Sequence, residues 1–174
     1  MSGRLRFSSI RSRLVGAALL GLSLAMALMG IALENAHSTS IDAARIDRQI
    51  AELYGLIAEA EAENQALWLP EVLSDPVFNR LDGYRFAGVL DHAGQVVWSS
   101  VSMTLIEDDW QRLLKDLPIS RLGESESISL ALDAKELLGQ RMTIRWQTSE
   151  LQGDYTFFVL ESAELALALS LIHI

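Results

Sequence analysis

The chain has 174 residues, of which 50% are hydrophobic and 21% charged, with a formal net charge of -9. This composition is sufficient for one folded domain and excludes a disordered tail. It also excludes a disulfide-stapled miniprotein and a zinc module, because there is no cysteine and the three histidines lie far apart.

Charge is distributed unevenly along the chain. The first 13 residues carry four arginines and no acid, and all 23 acidic residues come later. The region from Glu34 onward is therefore strongly acidic. Because nucleic-acid phosphates attract basic surfaces, we expect no nucleic-acid partner.

Between the basic and acidic regions, residues 14–33 contain no charge and no proline. At about 1.5 Å per residue such a helix crosses a hydrocarbon core of roughly 30 Å, so the sequence predicts a transmembrane helix. By the positive-inside rule, residues 1–13 are expected in the cytoplasm and residues 34–162 outside it. A cleaved signal peptide is the alternative, but its apolar region usually has about 7 to 15 residues, and Glu34-Asn35-Ala36 is a poor cleavage site.

A seven-residue apolar repeat follows the predicted membrane helix. One seam contains Ile46, Leu53, Ala60 and Leu67, and the other Ile50, Ile57 and Asn64. The repeat predicts either a dimeric coiled-coil stalk, in which Asn64 fixes the register, or a helix whose stripe packs on the domain's own sheet. Leu69-Pro70 is expected to end this helix, because proline removes a donor and disfavours helical geometry before it.

After Pro70 the pattern predicts short strands separated by turns. Strands are expected at 84–90, 95–101, 127–132, 141–148 and 155–160, with a second helix at 105–117. Residues 91–94 are predicted to form a hairpin turn, and Gly139 and Gly153-Asp154 to separate the last three strands. The fold class expected for 34–162 is α+β, an antiparallel sheet with helices packed on it.

Acidic residues in and after the second predicted helix are the candidate ligand site. They are Glu107, Asp108 and Asp109 in its first turn, followed by Asp116, Glu124 and Glu126. Such carboxylates can hold Mg²⁺ or Ca²⁺, or bridge through these ions to anionic lipid head groups. The alternative is that the three adjacent acids complement the helix dipole and stay solvated without a ligand.

Other chemistry-bearing residues have two interpretations each. His92, at the predicted hairpin tip, is either a pH reporter or simply an exposed turn residue. Trp98, Trp110 and Trp146 are expected in the core or on a sheet face rather than in a ligand cage, and Trp68 is ambiguous. The sequence has no nucleophile–base pattern, no zinc-protease motif and no glycine-rich phosphate loop, so no catalytic residue and no cofactor are predicted within this chain.

Three runs of sequence carry a resemblance to a known family: DPVFN at 75–79, LDHAGQVVWSS at 90–100 and DYTFFVLES at 154–162. With the basic start, the membrane helix and the long helix, the chain resembles the sensor half of PhoQ-type bacterial two-component histidine kinases. The resemblance implies a PAS-like (PDC) periplasmic domain on the inner membrane that senses divalent cations, acid or cationic peptides. It also implies a homodimer, contact with membrane lipid, and a kinase part outside this chain that uses ATP and acts on a response regulator.

The sequence is also compatible with two alternative functions. The same sensor organisation can serve a chemoreceptor or a cyclic-dinucleotide enzyme, and the chain can also be a secreted periplasmic binding protein that has lost its first 36 residues.

Residues 163–174 become apolar, which predicts the beginning of a second membrane helix. Residues 169–174 also resemble the in-frame translation of a sequencing-library adapter, and in that case these residues are not native.

Overall fold

The computed structural model describes residues 10–81, 83–105, 120–132, 135–149 and 151–162. The chain divides into two compact units, Met1–Ala44 and Arg45–Ile174. The first α-helix, α1, spans Ile10–Ala58 and contributes residues to both units. The predicted second helix at 105–117 lies almost entirely outside the described residues, and a 3-10 helix occupies Val101–Leu105 at its start.

Within the first unit, α1 is apolar and exposed. It contains an 18-residue window that is long and apolar enough to cross a membrane, and none of that window is buried. Large side chains such as Leu20 and Met29 are about three-quarters exposed, at 74% and 75%. An exposed helix of this composition is the form expected of a segment surrounded by lipid.

The helix ends eleven residues before the position predicted from Leu69-Pro70, so that prediction is wrong. After Ala58 the chain forms a two-stranded antiparallel hairpin, β1 (Glu61–Glu63) and β2 (Ala66–Trp68). Asn64 and Gln65 form its turn with φ of 52° and 64°. Both residues are therefore left-handed, the geometry of a two-residue hairpin turn that matches strand twist. Asn64 is thus a turn residue, and the heptad does not continue through it.

A second, five-stranded sheet contains β3 (Arg85–Leu90), β4 (Val96–Ser99), β5 (Ser125–Leu132), β6 (Lys135–Gln147) and β7 (Gln152–Ser162). The strand order is β4-β3-β7-β6-β5, and all neighbours are antiparallel. A sheet of this kind with a helix packed against it confirms the predicted α+β class.

Both faces of the five-stranded sheet are buried. Phe157 and Phe158 are consecutive on the central strand β7, and each is fully buried. Because successive strand residues point to opposite faces, they belong to different cores. Phe157 packs in a cluster with Leu53 and Leu56 of α1, whereas Phe158 packs with residues such as Leu130.

Strand β6 begins six residues earlier than predicted, because Gly139 lies inside the strand rather than between two strands. A Cβ placed on Gly139 would lie 2.0 Å from the carbonyl oxygen of Val159 on β7. Glycine is therefore used here for a close approach of backbones, not for a turn. Gly153 likewise lies within β7.

The predicted turn between β3 and β4 is confirmed. The Asp91 carboxylate accepts hydrogen bonds from the backbone N–H groups of Ala93 and Gln95. Gly94 takes φ of 71°, which a glycine adopts without strain. These contacts satisfy the turn's backbone donors locally and hold the strands in register.

Candidate functional site

Within the unit Arg45–Ile174, a row of directly opposed residues on β3, β7 and β6 crosses the sheet beneath α1. Arg85 on β3 is directly opposite Glu161 on β7, and Glu161 is in turn opposite Leu138 on β6. Directly opposite residues share a face of the sheet. This face is the one on which α1 packs, because Phe157, on the same side of β7 as Glu161, lies in the core cluster that includes residues of α1. Gln49 of α1 also donates a hydrogen bond to the carbonyl oxygen of Leu138 at 3.1 Å.

Four charged side chains join α1 to this row, and we call Arg48, Glu52, Arg85 and Glu161 the charged junction. The Arg85 guanidinium lies 2.6 Å from Oε1 of Glu52, and Arg48 forms an ion pair with Glu161. Arg48 also lies 3.6 Å from Glu52, one turn along the same helix. Two ion pairs therefore connect the helix to the sheet.

The junction is largely withdrawn from water. The side chains of Glu161 and Glu52 are 5% and 9% exposed, that of Arg85 is 16% exposed, and that of Arg48 is 40% exposed. Buried carboxylates require partners, because removing an ion from water costs several kcal/mol unless another charge compensates it. Each carboxylate has an arginine partner from another element.

Burial raises the pKa of Glu52 above its usual value. The nearby charges of Arg85 and Arg48 oppose this increase, whereas Asp75 and Glu161 add to it. Desolvation is the largest of these effects. The junction thus holds a carboxylate whose charged form is disfavoured by burial, an effect that two arginines offset only in part.

The predicted acidic cluster is only partly within the described residues. Glu107, Asp108, Asp109 and Asp116 lie outside them. Glu124 is exposed and lies 3.6 Å from Arg121, and Glu126 accepts a hydrogen bond from Arg141 at 2.9 Å. That hydrogen bond lowers the pKa of Glu126. Both described acids therefore form an ion pair with an arginine.

In the described part of the chain, no three histidine or acidic side chains come together as a possible metal site. The proposed role of Glu107, Asp108 and Asp109 as ligands of Mg²⁺ or Ca²⁺ stays a prediction.

His92 lies at the opposite end of β7 from the charged junction. It borders an open depression of about 520 Å³ together with the ion pair between Arg145 and Asp154. The guanidinium donates to both carboxylate oxygens, at 2.8 and 2.9 Å, and this pairing lowers the pKa of Asp154. His92 itself is exposed, as expected of a turn residue, and its role as a pH reporter stays a prediction.

The described tryptophans agree with a structural role. The Trp98 indole donates to the carbonyl oxygen of Pro70 at 3.2 Å, and Trp146 stacks near Phe157 with centroids 6.4 Å apart. Both are partly buried against the core. Trp68, which was ambiguous, is 46% exposed on β2, and Trp110 lies outside the described residues.

The charged junction was missed by sequence reasoning. Its members lie on α1, β3 and β7, and the contact between Arg48 and Glu161 spans 113 positions. A local signal existed on α1: Arg48, Gln49 and Glu52 interrupt the apolar stripe just before Leu53. Polar residues on a packing face indicate polar partners opposite them.

Comparison of the sequence with protein-family models and with curated proteins gave no match. The likeness to PhoQ-type sensors therefore depends on the sequence runs quoted above.

Proposed function

We propose that the chain is the extracytoplasmic input module of a membrane-bound two-component sensor histidine kinase. The supporting observation is the charged junction, where α1 and the end of β7 lie side by side in the folded unit. A transmembrane sensor needs the segment that leads into its sensing domain and the segment that leaves it on one side of that domain. The pairing of Arg48 with Glu161 meets this requirement.

The proposed location is the bacterial inner membrane, with residues 1–13 in the cytoplasm and 34–162 in the periplasm. Support comes from the four arginines before the apolar segment and the strongly acidic region after it. Cytoplasmic flanks of membrane helices are enriched in lysine and arginine.

Binding of a stimulus is proposed to shift this module between two packings. A ligand changes such an equilibrium only if it binds one packing more tightly than the other. The candidate stimuli are a divalent cation such as Mg²⁺ or Ca²⁺ and a proton. The proposed partners are a second copy of the chain, membrane lipid, and a response regulator reached through an ATP-dependent kinase part.

The coding sequence that follows Ser162 in the parent gene tests the proposed output. We expect a second membrane segment, then a phosphoacceptor-histidine helix and an ATP-binding domain. A chemoreceptor signalling region or a cyclic-dinucleotide enzyme there would overturn the kinase assignment while leaving a membrane sensor.

Fractionation of cells that express the parent gene tests the anchor separately. We expect the protein in the membrane fraction with a mass that includes residues 14–33. A soluble product shortened by about 36 residues would instead identify a secreted binding protein.

A further inference from the structure

The surface that α1 uses to pack on the sheet changes character along the helix. Leu53 and Leu56 are 0% and 3% exposed, and they pack in the apolar core that contains Phe157. Arg48 and Gln49, about one turn before Leu53, and Glu52, directly before it, make polar contacts to the sheet. The helix thus has an apolar half and a polar half on the same docking face.

The free-energy cost of separating α1 from the sheet differs between the two halves of its docking face. Lifting Leu53 and Leu56 from the core exposes apolar area, for which water offers no compensation. Lifting the polar half returns charged groups to water, where their hydration free energy replaces much of the electrostatic stabilisation that the ion pairs provided. The polar half is therefore the part of α1 that can leave the sheet without unfolding the core.

The four charges of the junction can also be paired in a second way. In the observed structure, Arg48 pairs with Glu161 and Arg85 with Glu52, so both pairs join the helix to the sheet. The alternative pairs lie within one element each. Arg48 and Glu52 are one helical turn apart and already within 3.6 Å, and Arg85 and Glu161 are direct cross-strand partners.

We propose that the charged junction is a partner-exchange switch. In the docked state the pairs join α1 to the sheet. In the released state they form within α1 and within the sheet, the segment Arg45–Glu52 leaves the sheet, and Leu53–Ala58 stays packed. Every carboxylate keeps an arginine in both states, so neither state contains a buried unpaired charge. Such an exchange joins two discrete arrangements, as a switch requires.

The role of this exchange in signalling rests on the proposed function, but the exchange itself does not. It is a property of the folded unit and can be measured without any output domain.

Charge-exchanged variants of equal composition separate the two states. The double variant Arg48→Glu with Glu161→Arg keeps both docked pairs attractive and makes both released pairs repulsive. The double variant Arg48→Glu with Glu52→Arg does the opposite. The first is expected to hold the polar half of α1 on the sheet, and the second to release it.

Thiol labelling of the full chain in detergent micelles reports the position of the helix, because the native sequence has no cysteine. Gln49→Cys reports the polar half and Leu53→Cys the apolar half, since both native side chains are nearly inaccessible, at 2% and 0%. We expect the maleimide labelling rate at position 49 to be at least about tenfold faster in the released variant than in the docked variant. The rate at position 53 is expected to be equal in both.

A matched control exchanges the exposed ion pair at the other end of β7, Arg145→Asp with Asp154→Arg. It is expected to change neither labelling rate, and a change at position 49 would show that the reporter is not specific to the junction and would overturn the proposal. Equal rates at position 49 in the two junction variants would also overturn it. So would a parallel rise at positions 49 and 53, because the whole helix would then have left. If position 49 is labelled faster in the released variant but the parent protein is not a membrane sensor, the proposed function is wrong and the partner exchange is still supported.

Discussion

Arg85 and Glu161 are direct cross-strand partners on β3 and β7, yet the Arg85 guanidinium pairs with Glu52 on α1 at 2.6 Å. Glu161 in turn pairs with Arg48 on the same helix. Each ion pair thus joins one residue of the helix to one residue of the sheet, although the helix and the sheet each contain an arginine and a glutamate that are close enough to pair with each other. Two specific ion pairs therefore join α1 to β3 and β7.

Removal of the two partners in the ion pair between Arg48 and Glu161 is expected to have unequal effects. Arg48→Ala leaves a carboxylate that is 5% exposed, and we expect the free energy of unfolding to fall by about 2 kcal/mol. Glu161→Ala leaves an arginine that is 40% exposed and can be hydrated, so about 1 kcal/mol is expected. Urea denaturation followed by tryptophan fluorescence measures both values. A larger loss for Glu161→Ala would contradict this account of burial.

The raised pKa of Glu52 predicts a specific pH dependence. Because the folded pKa lies above the unfolded value of 4.5, the folded state binds this proton more tightly. This contribution to stability is fully present below about pH 4.5 and is lost as pH rises through the folded pKa. The difference in unfolding free energy between the native chain and Glu52→Gln is therefore expected to favour the native chain increasingly as pH falls from 7 toward 4.5. A difference that moves in the opposite direction would mean that pairing, not desolvation, dominates at Glu52.

Two glycines give opposite predictions for the same substitution. Gly139→Ala places a Cβ 2.0 Å from a backbone oxygen, so it is expected to destabilise the fold by about 3 kcal/mol or more. Gly55→Ala, on α1, meets no atom within 4 Å and is expected to stabilise it by about 0.5 to 1 kcal/mol. Thermal unfolding of the two variants checks this contrast. Tolerance of alanine at position 139 would disprove the close approach of β6 and β7.

The turn between β1 and β2 offers a stabilising substitution. Gln65 has φ of 64°, which is unfavourable for a residue with a Cβ, whereas Asn-Gly is the preferred pair in this turn. Gln65→Gly is expected to raise the free energy of unfolding by about 0.5 kcal/mol. Asn64→Gly serves as the control and is expected to give a smaller gain in stability, since asparagine already tolerates the left-handed conformation. A loss of stability for Gln65→Gly would argue against the turn.

The sequence predicted those features that depend on local pattern. The uncharged stretch 14–33 is found within an exposed helix, and the turn at Asp91 to Gly94 has the predicted form because side chain and glycine specify it locally. Alternation of apolar residues also predicted the antiparallel sheet. These features require only neighbours in sequence.

The errors came from residues whose role depends on distant partners. Asn64 fitted a heptad by spacing, but spacing does not reveal that the chain reverses there. Gly139 was interpreted as a break between strands. Its position within a strand is explained only by the close approach of the Val159 carbonyl oxygen, which the sequence does not reveal. The charged junction was missed for the same reason, since its pairs connect positions far apart along the chain.

The proposed function requires residues 14–33 to lie in the membrane and the folded unit to lie outside the cytoplasm. Single cysteines at Ser8, before the apolar segment, and at Glu124, whose side chain is 60% exposed, test this arrangement by labelling with a membrane-impermeant maleimide. We expect Glu124→Cys to react in cells whose outer membrane alone is permeabilised, and Ser8→Cys only after the inner membrane is also opened. Labelling of Ser8→Cys before Glu124→Cys would contradict the account.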